Sequence, residues 1–204
     1  MSEYKRTLET LELVGGALCL DFVNTVNSRH NPEHEYLSDY SELVKWGEKL
    51  RVLTSEQGSR LQRQASREPQ TAEKTLKKAL ELRELLYRLF SGLADKSKPD
   101  KEDLARLVQF QSEAISAGEL VKVDDHFIPR WDLAGSYDAV LWPITYSAAQ
   151  ILQSKDASQV KECPSCGWLF LDTSKNQSRR WCSMNTCGVR DKMKRYHRKL
   201  RSKS

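Results

Sequence analysis

Four of the five cysteines in this 204-residue chain fall in one short stretch, and their spacing constrains the fold more than any other feature. Cys163 and Cys166 are separated by two residues, Cys182 and Cys187 by four, and fifteen residues lie between the pairs. Thiolates two residues apart aim two sulfurs at one ion from a tight turn, and Gly167 supplies the backbone freedom such a turn needs. Two pairs close a tetrahedral shell and leave no position for a substrate. The expected cofactor is therefore one structural Zn²⁺, although four thiolates also suit iron. The alternative is a pair of disulfides, which requires an oxidising compartment. Residues 1–10 are charged and polar, with neither the apolar segment nor the small-residue cleavage site of a secretory leader. No run is apolar enough to span a bilayer, so no membrane partner is expected. These features predict a reduced, cytoplasmic chain whose thiols bind metal.

The residues around the sulfurs set an order of local elements. Residues 168–171 (Trp-Leu-Phe-Leu) read as a strand and residues 179–183 as its pairing partner, with the polar residues 172–178 as the turn between them. Helix formers dominate after Cys187. Turn, hairpin and helix, with the last thiolate at the helix entrance, is a treble-clef-like layout. Val189, Met193, Tyr196 and Leu200 form an apolar stripe at helical spacing, predicted to pack on the hairpin. The basic residues Arg190, Lys192, Lys194, Arg195, Arg198, Lys199, Arg201 and Lys203 cover most of the remaining surface. From Lys161 onward the chain carries 12 Lys and Arg against 3 Asp and Glu, a net of +9 in a protein whose total is +5. Charge segregated onto a finger points to a polyanion. The candidate nucleic-acid contacts are Arg179, Arg180, Arg190, Lys192, Lys194, Arg195, Arg198 and Lys199, unless the stretch is only a solvated basic tail.

The segment Cys163-Pro164-Ser165-Cys166, Phe170 to Ser174, Ser178 to Met184 and Cys187-Gly188-Val189-Arg190 resembles the CGNR zinc-finger family. The stretch Gly15-Gly16-Ala17-Leu18-Cys19-Leu20-Asp21-Phe22-Val23-Asn24-Thr25, with Trp142-Pro143-Ile144, resembles the ABATE domain that precedes this finger. Together the resemblances cover nearly the whole chain. They imply a bacterial, stress-induced transcriptional regulator whose finger binds DNA. The Asn that gives the finger its name is Val189 here, so no role of that amide carries over.

Earlier in the chain, Leu18, Phe22 and Val26 keep helical spacing. Asp21 and Asn24 share a face of that helix with Arg29 nearby, which suits either a pocket for a small effector or internal polar pairing. Cys19 has no partner and reads as a buried thiol. His30 and His34 are loop residues without ligand spacing. Helices are predicted over about 38–53, from Thr54 to before Pro69, over 71–93 and over 101–116. A hairpin follows over 119–131 with Asp124 and Asp125 in its turn, then helix over 137–153 with Pro143 at a first turn or a break.

The expected fold is mainly α: a helical N-terminal domain (residues 1–158) with a short β-hairpin, joined through a linker at 154–158 to a treble-clef-like four-cysteine zinc finger (159–204). No phosphate loop, nucleophile motif or open metal site is present, so catalysis is not expected. The leading reading is a regulator that binds DNA in preference to RNA, with the N-terminal domain as sensor or dimerisation module. A protein-interaction adaptor and a small-ligand-binding protein with a purely structural finger are the alternatives.

Overall fold

A computed structural model describes residues 7–32 and 34–201, so residues 1–6 of the polar N-terminus and Lys203 of the basic stretch lie outside the described residues. A 3-10 turn, Leu8–Thr10, leads to the glycine pair, and Gly16 at φ 78° turns the chain into α1 (Leu18–Val23). α1 is shorter than its periodicity implies. Val26 leaves it to pair with Glu35, closing the intervening residues into a loop. α2 (Tyr40–Lys49) starts after Asp39, whose carboxylate accepts the Glu42 N–H at 2.9 Å. α3 (Ser55–Arg67) starts at a capping box between Thr54 and Gln57, and α4 (Pro69–Ala94) takes proline at its first turn, where no N–H is required. α5 (Lys101–Ser116) is capped by Asp100.

β1 (Gly118–Val123) and β2 (His126–Trp131) form an antiparallel hairpin, and Asp124 takes the left-handed conformation at φ 52° in its turn. A 3-10 turn, Tyr137–Val140, runs directly into α6 (Leu141–Leu152), which accommodates Pro143 in its first turn. The predicted linker is a further 3-10 helix, Lys155–Gln159. It feeds a second antiparallel pair, β3 (Val160–Glu162) and β4 (Leu169–Leu171), and the chain ends in α7 (Val189–Arg201).

The amphipathic pattern of α4 explains its position. It touches α1, α2, α3, α5, β3 and β4, and it buries Leu76, Ala79, Leu82, Leu85, Leu86, Leu89 and Phe90 along its length. Arg83 interrupts that buried face and is satisfied by a bidentate pair with Glu35 at 2.6 and 2.7 Å. α1 lies between α4, α6 and β4, with Phe22 edge-on to Trp46 at 5.3 Å. The Cys19 thiol is fully buried in it, and burial pushes its pKa up to about 12. Val160, Cys163, Leu169 and Phe170 join Phe22, Leu86 and Ile144 in one continuous core. The finger is thus packed into the helices and not tethered beside them.

Two local expectations differ from the structure. Residues 168–171 do not pair with 179–183. β4 pairs instead with β3, in the register Val160↔Leu171, Lys161↔Phe170 and Glu162↔Leu169, because the metal-binding turn itself is the hairpin tip. The apolar stripe of α7 does not pack on that hairpin either. Val189, Met193, Tyr196 and Leu200 are between 48% and 58% exposed, and no residue of α7 is buried. The reason is competition: β3 and β4 are already covered by α4, and β4 also by α1.

Because the core is shared, Leu169→Ala should destabilise the whole chain by about 2–5 kcal/mol, in a single unfolding transition followed by circular dichroism of the helices. A separate low-temperature transition confined to the finger would contradict a shared core.

Candidate metal centre and nucleic-acid interface

The metal centre is built from two turns. In the first, the Gly167 N–H donates to the Cys163 carbonyl and the Cys163 N–H donates to the Trp168 carbonyl, each at 2.8 Å, which folds Cys163 and Cys166 into one knuckle. Gly167 sits at φ 73°, and a Cβ there would lie 2.6 Å from the Cβ of Arg29, so both conformation and space require glycine. Cys182 lies in a bend of irregular chain, and Cys187 lies in a widened π-helical turn, Met184–Gly188, that opens into α7. The four sulfurs lie within 4.8 Å of one another, with Cys166–Cys182 at 3.5 Å and Cys182–Cys187 at 3.6 Å. Four sulfurs about 2.3 Å from a shared tetrahedral centre sit roughly 3.8 Å apart, so this set fits one ion. All four cysteines are buried. The donor set is that of one structural zinc, closed to substrate.

The loop after α1 forms the surroundings of this centre, which the sequence did not reveal. The Arg29 N–H donates to the Cys166 carbonyl at 2.7 Å and the Ser28 hydroxyl donates to it at 3.2 Å. The Trp168 indole N–H donates to the Val26 carbonyl at 2.7 Å, and the Leu171 N–H donates to the Gly15 carbonyl at 2.8 Å. Asn24 closes the seam. Its amide donates to the Leu169 carbonyl at 2.8 Å and accepts the Leu169 N–H at 2.9 Å, in full burial.

The candidate ligand-binding residues therefore have internal partners. Asn24 satisfies β4. Arg29 pairs with Glu84 at 2.5 Å, donates to the Val23 carbonyl and lies 4.2 Å from the centre of the Tyr87 ring. The Asp21 carboxylate accepts the Gly15 N–H at 2.8 Å, holding the glycine pair against the start of α1. Burial pushes its pKa up to about 6, against hydrogen bonds from Gly15 and Val14 that favour ionisation. These three side chains act as struts between α1, α4 and the finger. Asp21 serves a main-chain group six positions away, whereas the strand that Asn24 serves lies 145 positions away in sequence.

A second buried carboxylate orders the turn between β4 and the third cysteine. Asp172 is fully buried; it accepts from Lys161 at 2.5 Å, from the Ser174 N–H and hydroxyl, and from the Arg179 N–H at 2.9 Å. Burial opposes its ionisation, but these donors outweigh it and hold the carboxyl well below the usual carboxylate range.

The candidate nucleic-acid residues separate into two groups. Arg179 is committed locally: its guanidinium donates to the Trp181 and Cys182 carbonyls and stacks 4.5 Å from the Phe170 ring centre. Arg180 is exposed beside the Trp181 ring. On α7, Arg190, Lys192, Lys194, Arg195, Arg198 and Lys199 are all exposed, and Arg195 is paired with Asp191 at 3.1 Å. Arg190, at the helix entrance, also borders a hollow shared with Glu12, Asn27 and three of the metal-binding cysteines. The finger thus presents one exposed basic helix, held in place through the turn that carries Cys187.

A family model named ABATE, described as "Putative stress-induced transcription regulator", matches residues 16–155, and the CGNR zinc finger model matches residues 159–199. No curated protein matches the chain.

Two outcomes follow from this seam. Chelating the zinc should raise amide hydrogen exchange at Gly167 and Leu169 and also at Arg29, whose N–H bonds the knuckle. Exchange confined to residues after 160 would show that the loop does not depend on the metal. Asp21 has a native pKa above its unfolded value, so its contribution is fully present below about pH 4 and is lost as pH rises through about 6. Asp21→Asn keeps an acceptor for Gly15 and does not titrate, so its stability relative to wild type should rise by roughly 2–3 kcal/mol between pH 4 and pH 7. Parallel denaturant midpoints across that range would rule out the shifted carboxyl.

Proposed function

We propose, for a chain that belongs to the ABATE family and ends in a CGNR zinc finger, that it regulates transcription by placing α7 of the finger on nucleic acid, DNA in preference to RNA. The observation that carries this reading is the exposure of α7. It buries no residue, and it concentrates Arg190, Lys192, Lys194, Arg198 and Lys199 on a module whose net charge opposes that of the rest of the chain. Flexible cations on a helix surface suit phosphate contacts, which position a protein on a duplex without specifying its sequence. Arg180 extends the same positive surface, whereas Arg179 acts by ordering the turn. Zinc holds the helix at a fixed angle, and the helices before residue 160 form the sensing or dimerising part.

A second reading is favoured by one observation, the exposed apolar side of α7 at Val189, Met193, Tyr196 and Leu200. A basic helix with an apolar stripe also suits an acidic protein partner, and the chain would then be an adaptor.

The test is a titration of zinc-loaded protein against mixed-sequence duplex DNA and single-stranded RNA at several salt concentrations. Binding should fall linearly on logarithmic axes, and the triple variant Lys192→Gln, Lys194→Gln, Arg198→Gln should reduce the slope on duplex DNA by about 0.9 per lost phosphate contact. Absence of binding to either polymer at low salt, or an unchanged slope, would leave the adaptor reading.

A further inference from the structure

α5, α6 and the β1–β2 hairpin meet around a cavity of about 360 Å³ that no part of the finger touches. We infer that this cavity is a binding site for a small, neutral, planar apolar molecule of one or two rings. The inference stands independently of what α7 contacts.

The hairpin register supplies the first argument. Gly118 pairs with Trp131, Leu120 with Pro129 and Lys122 with Phe127, so Leu120, Phe127, Pro129 and Trp131 share one face of the hairpin. That face borders the cavity. Trp131 is fixed as a wall: its indole N–H donates to the Ala114 carbonyl at 2.7 Å, and its ring meets Tyr146 of α6 edge-on at 5.9 Å. A Cβ on Gly118 would lie 2.6 Å from the indole nitrogen, so the glycine leaves room for this placement. Leu120, Phe127 and, on α5, Ile115 are 71%, 63% and 75% exposed around the same hollow. Apolar groups of this size gain contacts and lose water when a ligand fills the space between them.

The volume falls at the small end of ligand pockets, about 300–1,000 Å³. The lining also specifies charge. Its one ionised residue, Glu119, is paired with Arg130 at 2.6 Å, so the cavity offers no free charge to an ionic ligand. Polar recognition falls to the neutral polar residues of the lining, Gln111, Tyr146 and Gln153. Apolar walls with three aromatic side chains and a few neutral hydrogen-bonding groups select a neutral aromatic carrying one or two polar atoms.

The test uses the zinc-loaded full chain and the neutral two-ring fluorophore 6-propionyl-2-dimethylaminonaphthalene, with indole as competitor. Saturable binding at one site per chain, displaced by indole, is expected. Ala149→Phe, which fills the cavity from α6, should weaken it by more than about tenfold, because close-packed interiors have no spare volume for both rings. Leu120→Ser acts on an already exposed side chain and should weaken binding several-fold even if Ala149→Phe disturbs α6. Met193→Gln, on the exposed stripe of α7, should leave binding unchanged. Non-saturable fluorescence, binding undiminished in both cavity variants, or loss of binding in Met193→Gln would overturn the proposal. So would a dimer in sedimentation that dissociates on Leu120→Ser, because the hairpin face would then be a subunit contact.

Discussion

The orientation of everything after Val160 depends on a requirement of buried backbone: polar main-chain groups removed from water must find partners. A short finger cannot supply them all. Two three-residue strands leave the outer edge of β4 without a ladder, and residues far upstream complete it. Asn24 meets both main-chain groups of Leu169, and Gly15 accepts from Leu171. The knuckle carbonyl of Cys166 is taken by Ser28 and Arg29. The metal centre therefore rests on the helices, and the loop after α1 finds main-chain partners in the knuckle.

That mutual dependence accounts for the chemistry of the buried polar residues. Asp21, Asn24 and Arg29 have the composition of a small-ligand site, and each is used to hold one backbone segment to another. Asp172 does the same inside the finger, where one carboxylate organises Lys161, Ser174 and Arg179. Arg179 in turn fixes the carbonyls of Trp181 and Cys182, which separates it from the exposed cations of α7. Buried charge is expensive without such partners, and here the partners define turns that lack regular secondary structure.

The same packing determines what is left for interaction. With β3 and β4 covered, α7 has no surface to lie on, and it emerges with its cations and its apolar stripe both exposed. The β1–β2 hairpin touches α5 but does not fill the angle between α5 and α6. The described residues thus include an exposed basic helix and an apolar hollow, and no residue of the finger lines that hollow. No helix among the described residues is long and apolar enough to cross a membrane.

The sequence by itself determined the metal site, the class of the fold and most of the helices. Thiolate spacing is a local property: Cys163 and Cys166 need only one turn and one glycine to converge. The ends of α2 to α5 are equally local, set by Asp39, Thr54, Pro69 and Asp100 acting within a few residues of themselves. Asp124 and Asp125 marked a turn for the same reason. What only the tertiary structure decided is every relation between distant segments. The pairing of β3 with β4 was hidden because β3, Val160–Glu162, is three residues long and carries too little alternation to read as a strand. The exposed stripe of α7 has the periodicity of a buried one, and nothing local indicates that its intended surface is already occupied. The role of Asn24 was beyond the reach of pattern, since an amide that bonds a strand 145 positions away looks, in sequence, like any other polar residue on a helix face.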